Sequence, residues 1–344
     1  MDITIKHTIG IDIAKETFTV RLLSVENSPT PVGEIKTFSN SSEGYTEMKR
    51  SVVDQGAEPV STQVIMEATG VYWEGCALFC NEQHFVVSIV NPAQIKYFAR
   101  TTLMRGKTDP LDADLIARFG ALLKPKAWTP PGIAFDDLQV LSRQRDAYVK
   151  MLTEEKNRLH ALSHRAHCPR EVLRMTKAHI RFLEKQIDEL EQAFKDHLDQ
   201  TPAWKQTIEV LTSITGIGMM TASVLLTETL AFSTFVDGRQ LTAYAGLAPA
   251  PFTSGSSVHR KPRISKIGNA RLRRAVYMAS ISGIRFNPVL KTFYQRLRAS
   301  GKPAKVALVA VARKLLTIAF AVVRSQRPFD PNYVSVKPSH QFCA

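Results

Sequence analysis

Hydrophobic residues over the first third of the chain recur with a period of two in some segments and of about 3.6 in others, which separates strands from helices. The predicted strands cover residues 8–14, 17–23, 34–38, 64–66 and 85–90, and the predicted helices cover 43–53, 71–81, 93–101 and 110–123. An opening strand hairpin followed by alternating helices and strands is typical of helices packed on a mixed sheet. The pattern therefore predicts an α/β domain over residues 1–130.

Residues 128–132, Trp-Thr-Pro-Pro-Gly, have the composition of a turn and mark the end of this domain. Beyond them, apolar residues step by three and four, which predicts a helical coiled-coil arm over residues 131–200 with evenly balanced charge. The apolar positions are Leu138, Leu141, Tyr148, Leu152, Leu159 and Leu162, then Ile180, Leu183, Ile187, Leu190 and Phe194. The two helices could pack on each other as a hairpin or on a second copy of the chain, and the pattern allows both.

A mainly α domain is predicted over residues 201–330, with a tail over 331–344. In it, Gly216 and Gly218 separate two apolar helical segments in the manner of a helix-hairpin-helix turn. Glycines let backbone N–H groups approach a phosphate, but a turn between packed helices has the same pattern, so both interpretations stay open. The remaining elements are a predicted loop over 249–266 and helices that start near Asn269, Pro288 and Pro303.

The chain carries 45 Lys and Arg against 31 Asp and Glu, a formal net charge of +14, and the excess is C-terminal. Residues 1–150 hold 16 basic and 18 acidic residues, whereas residues 201–344 hold 20 and 4. Between Phe252 and Lys314 the sequence has no acidic residue, so a basic strip there is predicted to contact nucleic-acid phosphates. The strip consists of Arg260, Lys261, Arg263, Lys266, Arg271, Arg273 and Arg274.

Composition excludes several classes of protein. Hydrophobic residues make up 44% and charged residues 22% of the chain, which is typical of a globular protein rather than a disordered or fibrous one. The four cysteines include no C-x-x-C pair, and no cleavable apolar segment begins the sequence, so we expect reduced thiols in a bacterial cytoplasm. The most apolar segment, 306–323, carries Arg313 and Lys314 at its centre, which favours a buried helix and no membrane association.

Four carboxylates occupy positions that suit metal-dependent phosphoryl transfer. Asp12 interrupts an apolar strand and Glu67 ends another, where burying an unpaired carboxylate is costly. Asp109 and Asp112 lie three residues apart at the start of a predicted helix and share one face, whereas Asp114 points away. Residues from three elements can converge on two divalent cations about 4 Å apart, and hard oxygen ligands favour Mg²⁺ or Mn²⁺. Each also has another explanation, since Asp109 could cap its helix and Glu67 could pair with an arginine.

The order of elements and these carboxylates resemble the ribonuclease-H-like, RuvC-like fold of Holliday-junction resolvases. At the level of motifs the chain is similar to the DEDD-type insertion-sequence transposases related to pilin-gene invertases, a family of bridge-RNA-guided serine recombinases. The matching segments span residues 9 to about 325 in the family's order. They are Gly10-Ile-Asp-Ile-Ala-Lys15, Glu67-Ala-Thr-Gly70, Lys107-Thr-Asp-Pro-Leu-Asp-Ala113, Gly216-Ile-Gly218, Ala243-Tyr-Ala-Gly-Leu-Ala-Pro249, Ser254-Gly255 and Ile264-Ser-Lys-Ile-Gly-Asn-Ala-Arg-Leu-Arg273.

That resemblance implies a DNA recombinase that excises and inserts a mobile element. The four carboxylates would be its metal-binding DEDD set, and Ser254 would be the nucleophile that becomes covalently joined to DNA. Ser256 and Ser257 lie close enough in sequence to remain alternatives to Ser254. The resemblance further implies donor and target DNA as substrates, a non-coding bridge RNA that pairs with both, a dimer or tetramer, and a nucleoid-associated location.

Three other functions fit parts of the pattern. The carboxylates alone would suffice for a metal-dependent junction nuclease that hydrolyses its substrate without a serine. Tyr277, which follows Arg271 and Arg273, permits a tyrosine-type recombinase, although its place in an apolar helix favours a core role. A non-catalytic architectural nucleic-acid-binding protein could use the basic half alone, but it would have no use for Asp12 in a buried strand.

Overall fold

The computed structural model describes residues 4–26, 28–102, 108–254 and 258–332, and for residues 251–254 and 258–262 it describes the backbone only. The chain forms two compact units, Met1–Pro130 and Pro131–Ala344. The division falls between two consecutive prolines, which cannot donate backbone hydrogen bonds and so interrupt regular structure.

The first unit contains a five-stranded mixed sheet with the order β3-β2-β1-β4-β5. The strands are β1 (His7–Ile13), β2 (Thr17–Ser24), β3 (Thr30–Ser39), β4 (Thr62–Glu67) and β5 (Val86–Val90). β2 pairs antiparallel with β1 and β3, whereas β4 lies parallel to β1 and β5. The prediction of an α/β domain with a mixed sheet that opens on a hairpin is confirmed.

Helices cover both faces of this sheet, because successive strand residues point to opposite sides and both sets are apolar. The helices are α1 (Ser42–Val53), α2 (Glu74–Glu82), α3 (Pro92–Thr101) and α4 (Asp109–Leu123). On one face, Met48 of α1 and Cys76 of α2 share a buried cluster with Ile11 of β1. On the other face, Ile116 of α4 belongs to a second cluster with Ile65 of β4.

Two long helices open the second unit, α5 (Ile133–Ser163) and α6 (Arg170–Asp199). They pack side by side in opposite directions. Arg145 of α5 pairs with Glu191 of α6, and Lys156, farther along α5, pairs with Glu184, nearer the start of α6. The arm is therefore a hairpin within the chain, which is one of the two packings that the heptad pattern allows.

The rest of the second unit is helical around one core. The helices are α7 (Pro202–Thr212), α8 (Met219–Glu228), α9 (Gly238–Tyr244), α10 (Ala270–Phe286), α11 (Pro288–Ala299) and α12 (Ala304–Ser325). Leu211, Leu225 and Leu272 are fully buried where these helices meet. The predicted helix starts are confirmed, since Asn269 caps α10, Pro288 opens α11 and Pro303 caps α12.

The most apolar helix is α12, with a mean hydropathy of 2.2 over its most apolar window. In the described part of the chain it is the one helix long and apolar enough to cross a membrane. Its residues Leu315, Leu316 and Ala319 are fully buried in the core of the second unit, while Arg313 is exposed at mid-helix. The prediction of a core helix fits this packing, because a spanning helix would place that charge in lipid.

The segment predicted as a loop over 249–266 instead forms a hairpin of β6 (Pro249–Ser254) and β7 (Val258–Ile264). The two strands pair antiparallel and make a separate two-stranded sheet. The loop prediction was wrong because Pro, Ser and Gly lower the strand propensity of the segment, whereas strand formation depends on the partner that the turn brings opposite.

Candidate active site

Asp12 and Glu67 lie at the same end of two neighbouring parallel strands. In the β1–β4 register Gly10 is opposite Ile65, so the residues two positions farther on, Asp12 and Glu67, share one face of the sheet. Both residues are half-buried at the carboxyl ends of their strands. This is the edge of a parallel pair where α/β proteins commonly place functional groups.

α4 crosses β1 on that same face at close range. A Cβ on Gly10 would overlap the backbone of Ala113 and Ala117, so only glycine lets the helix approach this strand. Farther along α4, Gly120 packs against Thr8 and Ile65. The helix therefore runs opposite to β1, and its first turn lies towards the strand end that carries Asp12.

Asp109 and Asp112 occupy that first turn. They precede Ala113 and Ile116, which are buried against the sheet, by one helical turn each, so all four residues lie on the same side of α4, with Asp112 half-buried and Asp109 exposed at the helix end. The N-cap of the helix is Thr108, which excludes the interpretation of Asp109 as the capping residue. The four predicted carboxylates are thus brought to one edge of the sheet by three elements.

Asp114, on the same helix, has a separate structural role. Its carboxylate pairs with Arg21 Nε at 3.2 Å and with Arg118 Nε at 2.6 Å, away from the sheet edge. Glu67 forms no arginine pair among the described residues, and its Oε1 accepts a hydrogen bond from the Thr69 hydroxyl at 2.8 Å.

The donor set suits a hard divalent cation by residue type and by position, because all four groups offer carboxylate oxygens. Among the described residues, however, no three Asp, Glu, His or Cys side chains are grouped closely enough to hold an ion. Residues 103–107, directly before α4, lie outside the described residues. The positions of the four carboxylates in the fold therefore suit a metal site, but their side chains do not form a preassembled coordination sphere.

Ser254 ends β6 and pairs with Val258 of β7 at the distal end of the hairpin. The structure describes its backbone only. Ser256 and Ser257 lie outside the described residues. The turn of a hairpin is a position from which a residue can reach a bulky substrate, because only one segment of chain surrounds it.

Arg271, one of the residues predicted to contact phosphates, is the centre of a hydrogen-bonded cluster, which we term the Arg271 cluster. Its guanidinium donates to Asp146 Oδ2 at 2.7 Å, to Glu228 Oε1 at 2.8 Å and to both oxygens of Ser142 at 2.7 and 2.8 Å. Every guanidinium nitrogen is engaged, so the cluster joins α5, α8 and α10. Sequence reasoning missed it because the partners are 43 to 129 positions away.

Glu228 is the buried anion of this cluster, with a side chain 4% exposed. Burial raises the pKa of Glu228, but hydrogen bonds from Asn269 and Arg271 and the charge of Arg143 outweigh it and leave the pKa below the ordinary value. Asn269 donates to Glu228 Oε2 at 2.6 Å while its own side-chain oxygen caps α10. The cluster therefore fixes the start of α10, directly after the β6–β7 hairpin.

Other members of the basic strip divide into bonded and exposed residues. Arg273 Nη1 donates to the backbone oxygens of Ala245 at 2.9 Å and of Lys266 at 3.2 Å, which ties together the two chain segments at the base of the hairpin. Arg263, Lys266 and Arg274 are exposed. For Arg260 and Lys261 the structure describes the backbone and not the side chains.

The two glycines of the predicted helix-hairpin-helix turn differ in surroundings. Gly216 has φ of +109° and lies so close to α10 that a Cβ would be 2.9 Å from Gly283 Cα, which accounts for this glycine by packing. Gly218 begins α8 as an exposed N-cap, and a Cβ on it would meet no atom within 4 Å. Packing thus explains one glycine and leaves the other accessible.

Comparison with known proteins matches two separate parts of the chain. A family described as a DEDD transposase of IS110 type matches residues 9–167, and one described as "Transposase IS116/IS110/IS902 family" matches residues 208–295. A pilin gene-inverting protein of Moraxella bovis is 35% identical over 326 residues, which is 94% of this chain and 98% of that protein. The chain belongs to the IS110 family of transposases. The predicted DEDD-type, pilin-invertase-related identity is confirmed.

Other members extend the likeness. The pilin gene-inverting protein of Moraxella lacunata is equally similar, and the transposase for insertion sequence element IS1328 of Yersinia enterocolitica is 26% identical over 71% of this chain and 78% of that protein. An IS110-family transposase acts on DNA, and its DEDD domain implies dependence on divalent metal ions. The four carboxylates fall within the DEDD match, and Ser254 falls within the C-terminal match.

Proposed function

We propose that this transposase excises and inserts a DNA element by attack of a serine on DNA phosphodiesters, assisted by divalent cations. The observation that supports the proposal is the placement of Asp12, Glu67, Asp109 and Asp112 at one edge of the sheet. The order β3-β2-β1-β4-β5, with β1 between an antiparallel and a parallel neighbour, supports a ribonuclease-H-like, RuvC-like domain.

We assign the cations, Mg²⁺ or Mn²⁺ and two in number, to these four carboxylates. Bound there, they would polarise the scissile phosphate and offset charge on the departing oxygen. The chain itself supplies the geometry. β1 and β4 hold two carboxylates level with each other, and the contact of α4 with Gly10 sets the height of the other two above the sheet.

Ser254 is the proposed nucleophile. Its Oγ forms a new bond to phosphorus, the bond from phosphorus to a deoxyribose oxygen breaks, and that oxygen takes up the proton that the serine loses. The resulting serine–DNA phosphodiester keeps the energy of the broken linkage, so a second DNA strand end can reverse the attack without ATP. Its position at the end of β6 supports this role, since a hairpin end admits a duplex.

A suicide DNA substrate, which loses its departing strand after cleavage, tests this chemistry. We expect the unaltered protein to form a covalent protein–DNA adduct on denaturing electrophoresis and Ser254→Ala to form none. The double variant Ser256→Ala, Ser257→Ala is the matched control and should retain the adduct. An adduct in Ser254→Ala would transfer the role to one of the neighbouring serines or Tyr277. Cleavage by the unaltered protein without any adduct would instead indicate hydrolysis.

A bridge RNA that pairs with donor and target DNA is the proposed source of sequence choice, acting with a dimeric or tetrameric, nucleoid-associated protein. The exposed Arg263, Lys266 and Arg274 and the accessible turn at Gly218 offer phosphate contacts that carry no sequence information. We expect RNA of discrete length to purify with the protein from cells that carry the whole element, detected by nuclease digestion and sizing. Purification with heterogeneous nucleic acid alone would contradict RNA guidance.

A further inference from the structure

The balanced charge of the helical arm conceals a division between its two ends. The distal part, residues 150–182, has eight basic and three acidic residues, whereas the proximal parts, 133–149 and 183–199, have four basic and nine acidic residues. Both parts belong to the same pair of packed helices, so the arm carries a positive tip on a negative base. A merely solvated surface would be expected to mix its charges.

The positive end is organised along one line of α6, which we term the tip stripe. It consists of Arg170, Arg174, Lys177 and Arg181, at intervals of four, three and four residues. At 1.5 Å per residue, the four charges cover about 16 Å of one helix face. All four side chains are exposed and flank a surface groove of about 330 Å³ together with Leu173.

The tip stripe has no partner within the arm. Within the part of the chain that the structure describes, none of its four residues forms an ion pair, although two of the three acidic residues of the distal part do. Glu155 pairs with Arg158 at 2.8 Å, and Glu154 pairs with Lys150 at 3.9 Å. The third acid of the distal part, Glu171, is exposed on α6 beside Arg170 and Arg174, so the four bases of the tip stripe still outnumber the one acid next to them and leave net positive charge for an external anion.

We propose that the tip stripe binds the phosphate backbone of double-stranded DNA as a second contact surface, remote in sequence from the C-terminal basic strip. Duplex DNA presents one negative charge per about 1.7 Å of its axis, so a line of charges about 16 Å long meets several phosphates at once. Arginine and lysine at helical spacing bind phosphates without reading sequence. The surface therefore adds affinity and orientation rather than specificity.

A second copy of the chain is a less suitable occupant. The negative base of another arm is its natural electrostatic complement, but most of that charge is already used within the protein. Asp146 pairs with Arg271, Glu189 with Lys185 and Asp199 with Lys205. Glu191 and Glu184 are also paired, to Arg145 and Lys156. Duplex DNA, in contrast, carries one phosphate charge per about 1.7 Å of its axis, and its condensed counterions are released when Arg and Lys bind.

The test is the salt dependence of binding to a DNA duplex in the presence of a chelator, so that no strand is cut. The tip variant combines Arg170→Gln, Arg174→Gln, Lys177→Gln and Arg181→Gln. We expect its log–log slope to be shallower by about three to four units, since each lost phosphate contact removes about 0.9. Because no chemistry occurs, failure of the serine or metal assignments leaves this measurement unaffected.

Two control variants distinguish an effect of the tip stripe from a general effect of lost charge or of altered folding. The first control combines Lys150→Gln, Lys185→Gln, Lys195→Gln and Lys205→Gln. It removes the same number of exposed charges elsewhere on or beside the arm and should leave the slope within one unit of the unaltered value. The second control combines Arg170→Lys, Arg174→Lys and Arg181→Lys. It keeps the charge of the tip stripe and should therefore also preserve the slope. An equal loss in both Gln variants, or none in the tip variant, would overturn the proposal.

Two further measurements exclude other occupants. If the tip variant weakens binding to duplex RNA while binding to duplex DNA is unchanged, the stripe is an RNA surface and the proposal is wrong. If sedimentation shows that the tip variant dissociates while its slope is unchanged, the stripe is an interface between copies of the chain and the proposal is equally wrong. Circular dichroism should show the same helix content in all variants, because glutamine is a good helix former.

Discussion

Asp12→Asn should lower the rate of DNA cleavage by at least about 1,000-fold, equivalent to about 4 kcal/mol of transition-state stabilisation. The change keeps the size of the side chain but removes the negative charge at the strand end where we propose the metal site. Affinity for DNA should stay within about threefold, because the basic residues that attract phosphates lie in the second unit. Cleavage rates and affinities are measured separately, with the second determined in a chelator.

Asp114→Asn is the matched control for this prediction. It makes the same chemical change on the same helix as Asp109 and Asp112, but at a carboxylate that pairs with Arg21 and Arg118. Cleavage should remain within about threefold of the unaltered rate, with a small loss of stability typical of a partly exposed ion pair. Equal loss of cleavage in both variants would contradict a specific role for the four-carboxylate edge.

Arg271→Ala should lower the free energy of unfolding by about 3 kcal/mol, because it leaves Glu228 buried without its main cation. Arg143 and Asn269 still contact that carboxylate, which keeps the loss at the lower end of the range for broken buried pairs. Urea unfolding followed by circular dichroism measures the effect, since most helices belong to the second unit. A change under about 0.5 kcal/mol, typical of exposed sites, would contradict the structural role.

Arg274→Ala is the matched control, because Arg274 belongs to the same basic strip but is exposed. It should leave stability unchanged and reduce the salt slope of DNA binding by about one unit. Arg271→Lys, with the charge kept but the fork of donors lost, should retain the slope while losing part of the stability. The two arginines thus separate folding from phosphate contact within one helix.

The Arg271 cluster also makes stability depend on pH. The pKa of Glu228 in the folded protein lies below its ordinary value of 4.5. The contribution of ionised Glu228 to the free energy of unfolding is therefore complete at neutral pH. It is lost as the pH falls below 4.5 through the pKa of the folded protein. In Arg271→Ala this acid-sensitive part of the unfolding free energy should shrink.

Much of the first unit could be predicted from local pattern. The five strands and four helices follow from the period of apolar residues, because a strand or helix that buries one face must repeat its apolar positions at its own period. The hairpin of β6 and β7 was missed because its composition favours turns and its pairing depends on the opposite strand. Prediction of the arm was limited in another way, since a heptad seam specifies that helices pack and not which helix is the partner.

The sequence by itself determined the order of elements, the charge of the C-terminal half and the four carboxylates as candidates, since each depends on neighbouring positions alone. Tertiary structure decided that Asp12, Glu67 and the first turn of α4 meet at one edge, through the β1–β4 register and the approach of α4 to Gly10. It also decided that Arg271 is a structural residue while Arg274 is exposed. The physical reason is that an arginine binds whichever anion the fold brings to it, and Glu228, 43 residues away in sequence, is that anion here.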